Sequence, residues 1–172
     1  MFRPLSLKTV RWRPLEGEGL EHLTVRAVEG GIRAESVIIG ERDAAAYGVT
    51  CRIDCDDGWR VRSFHLRDTT GRELELASDG NGHWQRPDGT ALPEFDGCID
   101  IDLSGSPFTN TLPIRRLNLD PSQGTARLRM VYIPFDNAGA LRRRPALHLP
   151  RPGEPLSLRG RGRCVPRRTA CR

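Results

Sequence analysis

Through most of the first 135 residues apolar and polar side chains alternate with a period of two, the spacing that turns one face of an extended chain toward a core. In HLTVRAV (22–28), Leu23, Val25 and Ala27 share a face. IRAESVIIG (32–40) follows Gly30-Gly31, a hairpin signal. YGVTCRID (47–54) aligns Tyr47, Val49, Cys51 and Ile53, and WRVRSFHLRD (59–68) returns after the Asp56-Asp57-Gly58 turn. Thr70-Gly71 leads into RELELAS (72–78), and Asp79-Gly80-Asn81-Gly82 introduces a strand beginning HWQR. The pattern predicts further strands at 98–103, 114–119 and 126–135, and a short helix at ERDAAAY (41–47).

Strands at this spacing, joined by Gly, Asp and Asn turns, predict an all-β antiparallel meander with at most one short helix. About nine strands in 136 residues must curl or stack to cover their apolar faces, so a half-closed barrel, a curved sheet, a closed barrel or a sandwich is expected. Val37, Ile38 and Ile39 are consecutive, and Trp59 and Val61 oppose Phe64 and Leu66. Both faces of the sheet are therefore expected to be covered at those points.

Composition divides the chain in two. Residues 137–172 hold ten arginines and one acid, a charge of +9, whereas residues 1–136 hold 17 basic and 21 acidic side chains, a charge of −4. The first part is expected to form a single β domain. The second, rich in Arg and Pro and poor in aromatic and β-branched residues, is expected to stay unpacked. It reads either as a basic arm for nucleic acid or another anion, or as aberrant sequence. Lys8 is the only lysine against 26 arginines, and a coding frame so biased yields Arg/Pro/Gly/Ala text when read out of register. No aromatic residue interleaves with the tail arginines to stack on bases, which weighs against specific nucleic-acid binding.

No apolar run approaches the roughly 20 residues of a membrane-spanning helix, and the N-terminus lacks the apolar core of a signal peptide. A cytoplasmic protein is expected. Cys51, Cys55, Cys98, Cys164 and Cys171 form no convincing metal set, since the Cys51-x3-Cys55 pair has no second half. Free thiols in a reducing compartment are the expectation. The histidines are scattered, no nucleophile elbow or phosphate-cradling loop occurs, and neither a cofactor nor a metal is expected.

The segment GCIDIDLSGSPFTNTLPIRRL (97–117) concentrates the remaining chemistry. Asp100 and Asp102 are two apart on a strand, with carboxylates about 7 Å from each other on one face. That separation is near the ~6.5–9.5 Å of inverting glycosidases, so a glycan-processing hydrolase using Asp100 and Asp102 is one reading. A pair flanking a substrate does not normally line a single strand, however. The acids can instead pair with Arg115 or Arg116, or accept hydrogen bonds from sugar hydroxyls. Residues 104–111 read as a rigid corner bracketed by Pro107 and Pro113, with Thr109 and Asn110 bonding to their own backbone or rimming a pocket. Trp12, Trp59 and Trp84 can stack on sugars or fill the core.

Trp12 with Gly17-Glu18, Tyr47, Trp59, the run Asp79 to Trp84 and above all the 97–117 segment resemble a bacterial glycolipid-binding family, over about residues 8–135. The resemblance implies an open or half-closed antiparallel barrel similar to periplasmic lipoprotein carriers. It also implies binding of a glycolipid or other amphiphile, with no established catalytic set. Where such a family continues with further strands, this chain changes at about Asp136 to its Arg/Pro-rich sequence. Asp100, Asp102, Thr109, Asn110, Arg115, Arg116, Trp59 and Trp84 are the candidate ligand contacts, and no catalysis is expected.

Overall fold

The computed structural model describes residues 5–42, 44–120 and 125–134, and the strands Leu141–Arg143, Ala146–His148 and Cys164–Pro166. The rest of the Arg/Pro-rich segment, on which the expectation of an unpacked tail falls, lies outside the described residues. Seven consecutive strands form one antiparallel meander: β1 (Lys8–Pro14), β2 (Gly19–Val28), β3 (Gly31–Arg42), β4 (Ala45–Cys55), β5 (Val61–Asp68), β6 (Glu73–Ser78) and β7 (Trp84–Gln85). The sheet does not close into a barrel, so the curved-sheet form of the expectation holds. Residues 164–166 pair antiparallel with the outer edge of β1.

Local sequence sets the corners. At the β2–β3 turn Gly30 has φ +76°, and a Cβ at Gly31 would stand 2.0 Å from the Cys55 carbonyl oxygen, so no other residue fits. The segment 41–47, expected as a helix, is instead the β3–β4 hairpin, with Arg42 opposite Ala45 and Ala44 in the left-handed region. Alanine is the best helix former, but propensity is worth only tenths of a kcal/mol per residue, and two long strands pairing along their whole length override it.

One face of the meander is packed. Leu23 and Val25, Ile32, Ala34 and Ile38, Val49 and Ile53, Phe64 and Leu66, and Leu76 all turn inward and are buried. The covering layer is built by residues 92–117, which include β8 (Asp100–Leu103), and by β10 (Met130–Ile133), while β9 is Thr125–Arg127. Phe95, Cys98, Ile101, Leu103, Phe108, Leu112, Val131 and Ile133 close the core from that side. β8 and β10 pair in parallel, the one exception to antiparallel pairing among the described strands, and β10 is flanked by β11 (Leu141–Arg143). β9 pairs with β12 (Ala146–His148).

The expected strand at 114–119 is instead a helix, α1 (Thr111–Arg116), preceded by a 3-10 turn over Pro107–Asn110. Ser106 caps that turn by accepting from the Phe108 N–H at 3.2 Å, and Pro107 opens it. Ser followed by Pro is a helix-start signature, because proline has no N–H to leave unpaired and already holds a helical φ. Phe108 and Leu112, one turn apart, are buried together.

Candidate functional site

The 97–117 segment is fixed to the sheet at both ends. Gly97 donates its N–H to the Gly82 carbonyl at 3.0 Å, and a Cβ on Gly82 would come within 2.9 Å of the Gly97 Cα. The Asp79–Gly82 turn is thus the socket for the start of the segment. Trp84, buried behind it, donates its indole N–H to the Cys98 carbonyl at 2.6 Å.

Along the segment most of the anticipated contacts find partners within the protein. Asp100 is fully buried, and Arg116 grips it at two points, Nε to Oδ1 at 3.2 Å and Nη2 to Oδ2 at 2.5 Å. Burial raises the Asp100 pKa, and the Arg116 hydrogen bonds and charge offset part of that rise. Asp102, two residues on, is half-buried beside Tyr132 of β10. Arg115, next to Arg116 on α1, lies over the Trp59 ring, 4.8 Å from its centroid. Trp59 is buried with φ +64°, a strained conformation for a bulky residue, held by the fit of its ring and by its N–H to the Asp56 carbonyl at 2.9 Å. Thr109 donates its hydroxyl to the Ser106 carbonyl at 3.1 Å, and Asn110 donates to the Pro107 carbonyl at 3.3 Å. The structure therefore joins Asp100 to Arg116 and Arg115 to Trp59, and keeps Thr109 and Asn110 within their own turn. Both Asp100 oxygens are engaged by one guanidinium, which leaves Asp100 and Asp102 poorly arranged as an acid/base pair. Among the described residues no cluster of His, Cys, Asp and Glu could hold a metal.

One functional group escaped the sequence reading. Glu21 lies in phase with Leu23 and Val25 on the packed face of β2 and is only 3% exposed. Its Oε1 accepts the Ser106 hydroxyl at 2.7 Å, a bond that ties the sheet to the 97–117 segment across 85 residues of sequence. Its Oε2 is buried with no partner among the described residues. Burial pushes its pKa up to about 7, against the opposing pull of the neighbouring Ser106 and Ser36 hydroxyls. Directly opposite it in register stands Trp12 of β1, whose indole N–H is likewise buried and without a partner among the described residues. The signal is an acid in the inward phase of LEHLTV, visible once the strand extends back from His22 to Gly19.

The inward residues of β1, namely Val10, Trp12 and Pro14, are only half-buried, whereas Leu23 and Val25 beside them are fully covered. The apolar layer therefore opens toward β1, where Leu5 packs partly against it. Among the described residues the opposite face of the sheet is uncovered. A shallow groove of about 440 Å³ crosses it, with Thr24, Arg26, Thr50, Arg52 and His65 among its walls. Val37 in its wall is 51% exposed, and Leu20 and Ile39 on the same face are 40% and 52% exposed.

The described residues thus form an open antiparallel sheet with one face filled and a buried polar pair near its less covered edge. The family model described as "Putative glycolipid-binding" matches residues 9–145, and the chain belongs to that family. It is also similar to a crystal structure of a DUF1089-family protein from Pseudomonas aeruginosa, with 42% identity and a TM-score of 0.64, covering 78% of this chain and 73% of that one. No curated protein matched the chain.

Proposed function

We propose that this protein binds the hydroxyl-bearing head of a glycolipid or similar amphiphile at Trp12 and Glu21, without catalysing a reaction. The observation that carries this reading is the pair of buried polar atoms, Trp12 Nε1 and Glu21 Oε2, facing each other across β1 and β2 with no protein partner among the described residues. Leaving such atoms unsatisfied costs about 1–3 kcal/mol each, so most native buried groups have partners. A single hydroxyl accepts from the indole N–H and donates to the carboxylate, answering both at once. The half-buried side chains of Val10, Pro14 and Leu5 give the apolar remainder of an amphiphile a surface to lie on. Family membership supports the ligand class. Three buried free thiols, Cys51, Cys55 and Cys98, support a cytoplasmic setting. Among the described residues no helix is long and apolar enough to cross a membrane.

The test is calorimetric titration with octyl glucoside below its micellar concentration, against an octyl amphiphile whose head carries no hydroxyl. The glucoside is expected to bind more tightly, and Trp12→Phe, which removes only the N–H and part of the ring, should weaken it about tenfold. Equal affinity for the two amphiphiles, or full affinity in Trp12→Phe, would refute the reading.

A further inference from the structure

The hydrogen bonds around Glu21 decide where its proton can sit. Ser106 donates its hydroxyl to Oε1 at 2.7 Å and accepts the Phe108 N–H at 3.2 Å, so Oε1 is committed as an acceptor. A proton on the carboxyl is therefore carried by Oε2, the oxygen buried without a partner among the described residues. Trp12 Nε1, buried likewise on the strand opposite, can only donate. With Glu21 neutral, the two atoms are a donor beside a donor; with Glu21 charged, they are a donor beside an acceptor. A carbonyl oxygen, which has lone pairs and no proton, answers the first arrangement, but in the second it meets the lone pairs of a carboxylate. A hydroxyl answers both, accepting twice in one and accepting and donating in the other.

We propose that the Glu21 proton sets which ligand oxygen this site holds: an ester or ketone carbonyl only in the neutral form, a hydroxyl in either form. This selection rests on Trp12 and Glu21 being the binding site, and it adds carbonyl-headed amphiphiles, such as fatty acyl esters, to the ligands. Glu21 is faced by Trp12 of β1, Ser36 of β3, Cys51 of β4 and Ser106 of the covering segment. Of these only Cys51 can ionise, and burial, with the nearby Glu21 charge, keeps its thiol protonated. Arg11 and His22 lie on the opposite face, where Arg11 Nε donates to His22 Nδ1 at 3.3 Å. Burial of Glu21 brings the loss of its proton to about pH 7, so both forms are reached within a pH unit or two of neutrality.

The experiment is calorimetric titration of the full-length chain with 2-octanone and with 2-octanol, one carbon skeleton carrying a carbonyl or a hydroxyl, at pH 5.5 and pH 8.5. When only the neutral form takes the ketone, its apparent Kd rises as the neutral fraction falls, so the ketone should bind about thirtyfold more weakly at pH 8.5, while the alcohol changes by less than about threefold. Glu21→Gln places a permanent amide donor where Oε2 stands and should hold the ketone equally at both pH values. Trp12→Phe should weaken both ligands at pH 5.5. Circular dichroism at each pH confirms that the variants fold. A wild-type ketone Kd that is the same at both pH values overturns the selection, and so does a loss at pH 8.5 that persists in Glu21→Gln. In either case an alcohol that still binds, and is weakened by Trp12→Phe, leaves the hydroxyl-binding reading standing. Failure of both ligands to bind the wild-type chain overturns the two together.

Discussion

Glu21 offers the sharpest energetic test, because its carboxyl is buried deeply enough for its proton to be part of the folded state. In the unfolded chain it ionises near 4.5, whereas in the fold it holds its proton until about pH 7. Between those values the folded protein binds a proton that the unfolded chain has released, so stability falls as pH rises, and above pH 7 the deficit is constant. At about 1.4 kcal/mol for each pH unit separating the two values, the charge costs about 3 kcal/mol at neutral pH and nothing near pH 4. Glu21→Gln keeps the shape and still accepts the Ser106 hydroxyl, but has no proton to lose. Its new amide donors cost the same at every pH and so drop out of the slope. Urea unfolding followed by tryptophan fluorescence, from pH 4.5 to pH 7.5, should show the variant gaining about 3 kcal/mol on the wild type across that range. Asp68 and Asp79, whose hydrogen bonds hold their carboxyls below the usual range, act in the opposite direction but equally in both proteins. Parallel curves for the two proteins would show that Glu21 ionises alike in the folded and unfolded chains, and the reasoning from burial would fail.

Two further outcomes test the scaffold. Arg116→Met should destabilise by about 3–5 kcal/mol by leaving the Asp100 carboxylate buried without its cation, and adding Asp100→Asn should recover part of that loss; strictly additive effects in denaturant titrations would mean the two do not act as a pair. Gly82→Ala should cost well over about 1 kcal/mol, because its φ of +99° and the Gly97 backbone leave no room for a Cβ, whereas Gly89→Ala, with φ +84° and open space around it, should cost only the backbone strain. Equal losses in thermal melts of the two glycine variants would remove the Gly82–Gly97 contact as the cause.

The meander was legible because alternation and turn chemistry agree along β2 to β6, where each strand needs only its sequence neighbour to pair. Three elements were not. Residues 114–119 read as a strand, since Ile114, Leu117 and Leu119 suit one, and the Ser106-Pro107 start signal sits far enough upstream to be taken for a corner. The alanines of 44–46 have a helical preference that only the long β3–β4 pairing overrides. The parallel contact of β8 with β10 joins residues about 30 apart in sequence, and no local pattern announces such a partner. The 97–117 segment reads as chemically dense, with Asp–Arg pairing among its alternatives. Which arginine meets Asp100, and that Arg115 turns to Trp59 instead, follow from the helix that sequence reading missed. Glu21 was visible as an acid in the inward phase, but its significance depends on Ser106 and Trp12, which only the fold brings to it.

The bond between Glu21 and Ser106 also has a consequence for biosynthesis. During translation β1 to β6 leave the ribosome and can pair hairpin by hairpin, while the residues that cover their apolar side, Ile101 to Leu112, are still to be made. For that interval the nascent sheet presents Leu23, Val25, Ile38, Phe64 and Leu66 uncovered, with a protonatable acid among them. The 97–117 segment therefore acts as a late closure, and slow elongation or a premature stop before Leu112 exposes a sticky, half-finished sheet to other chains.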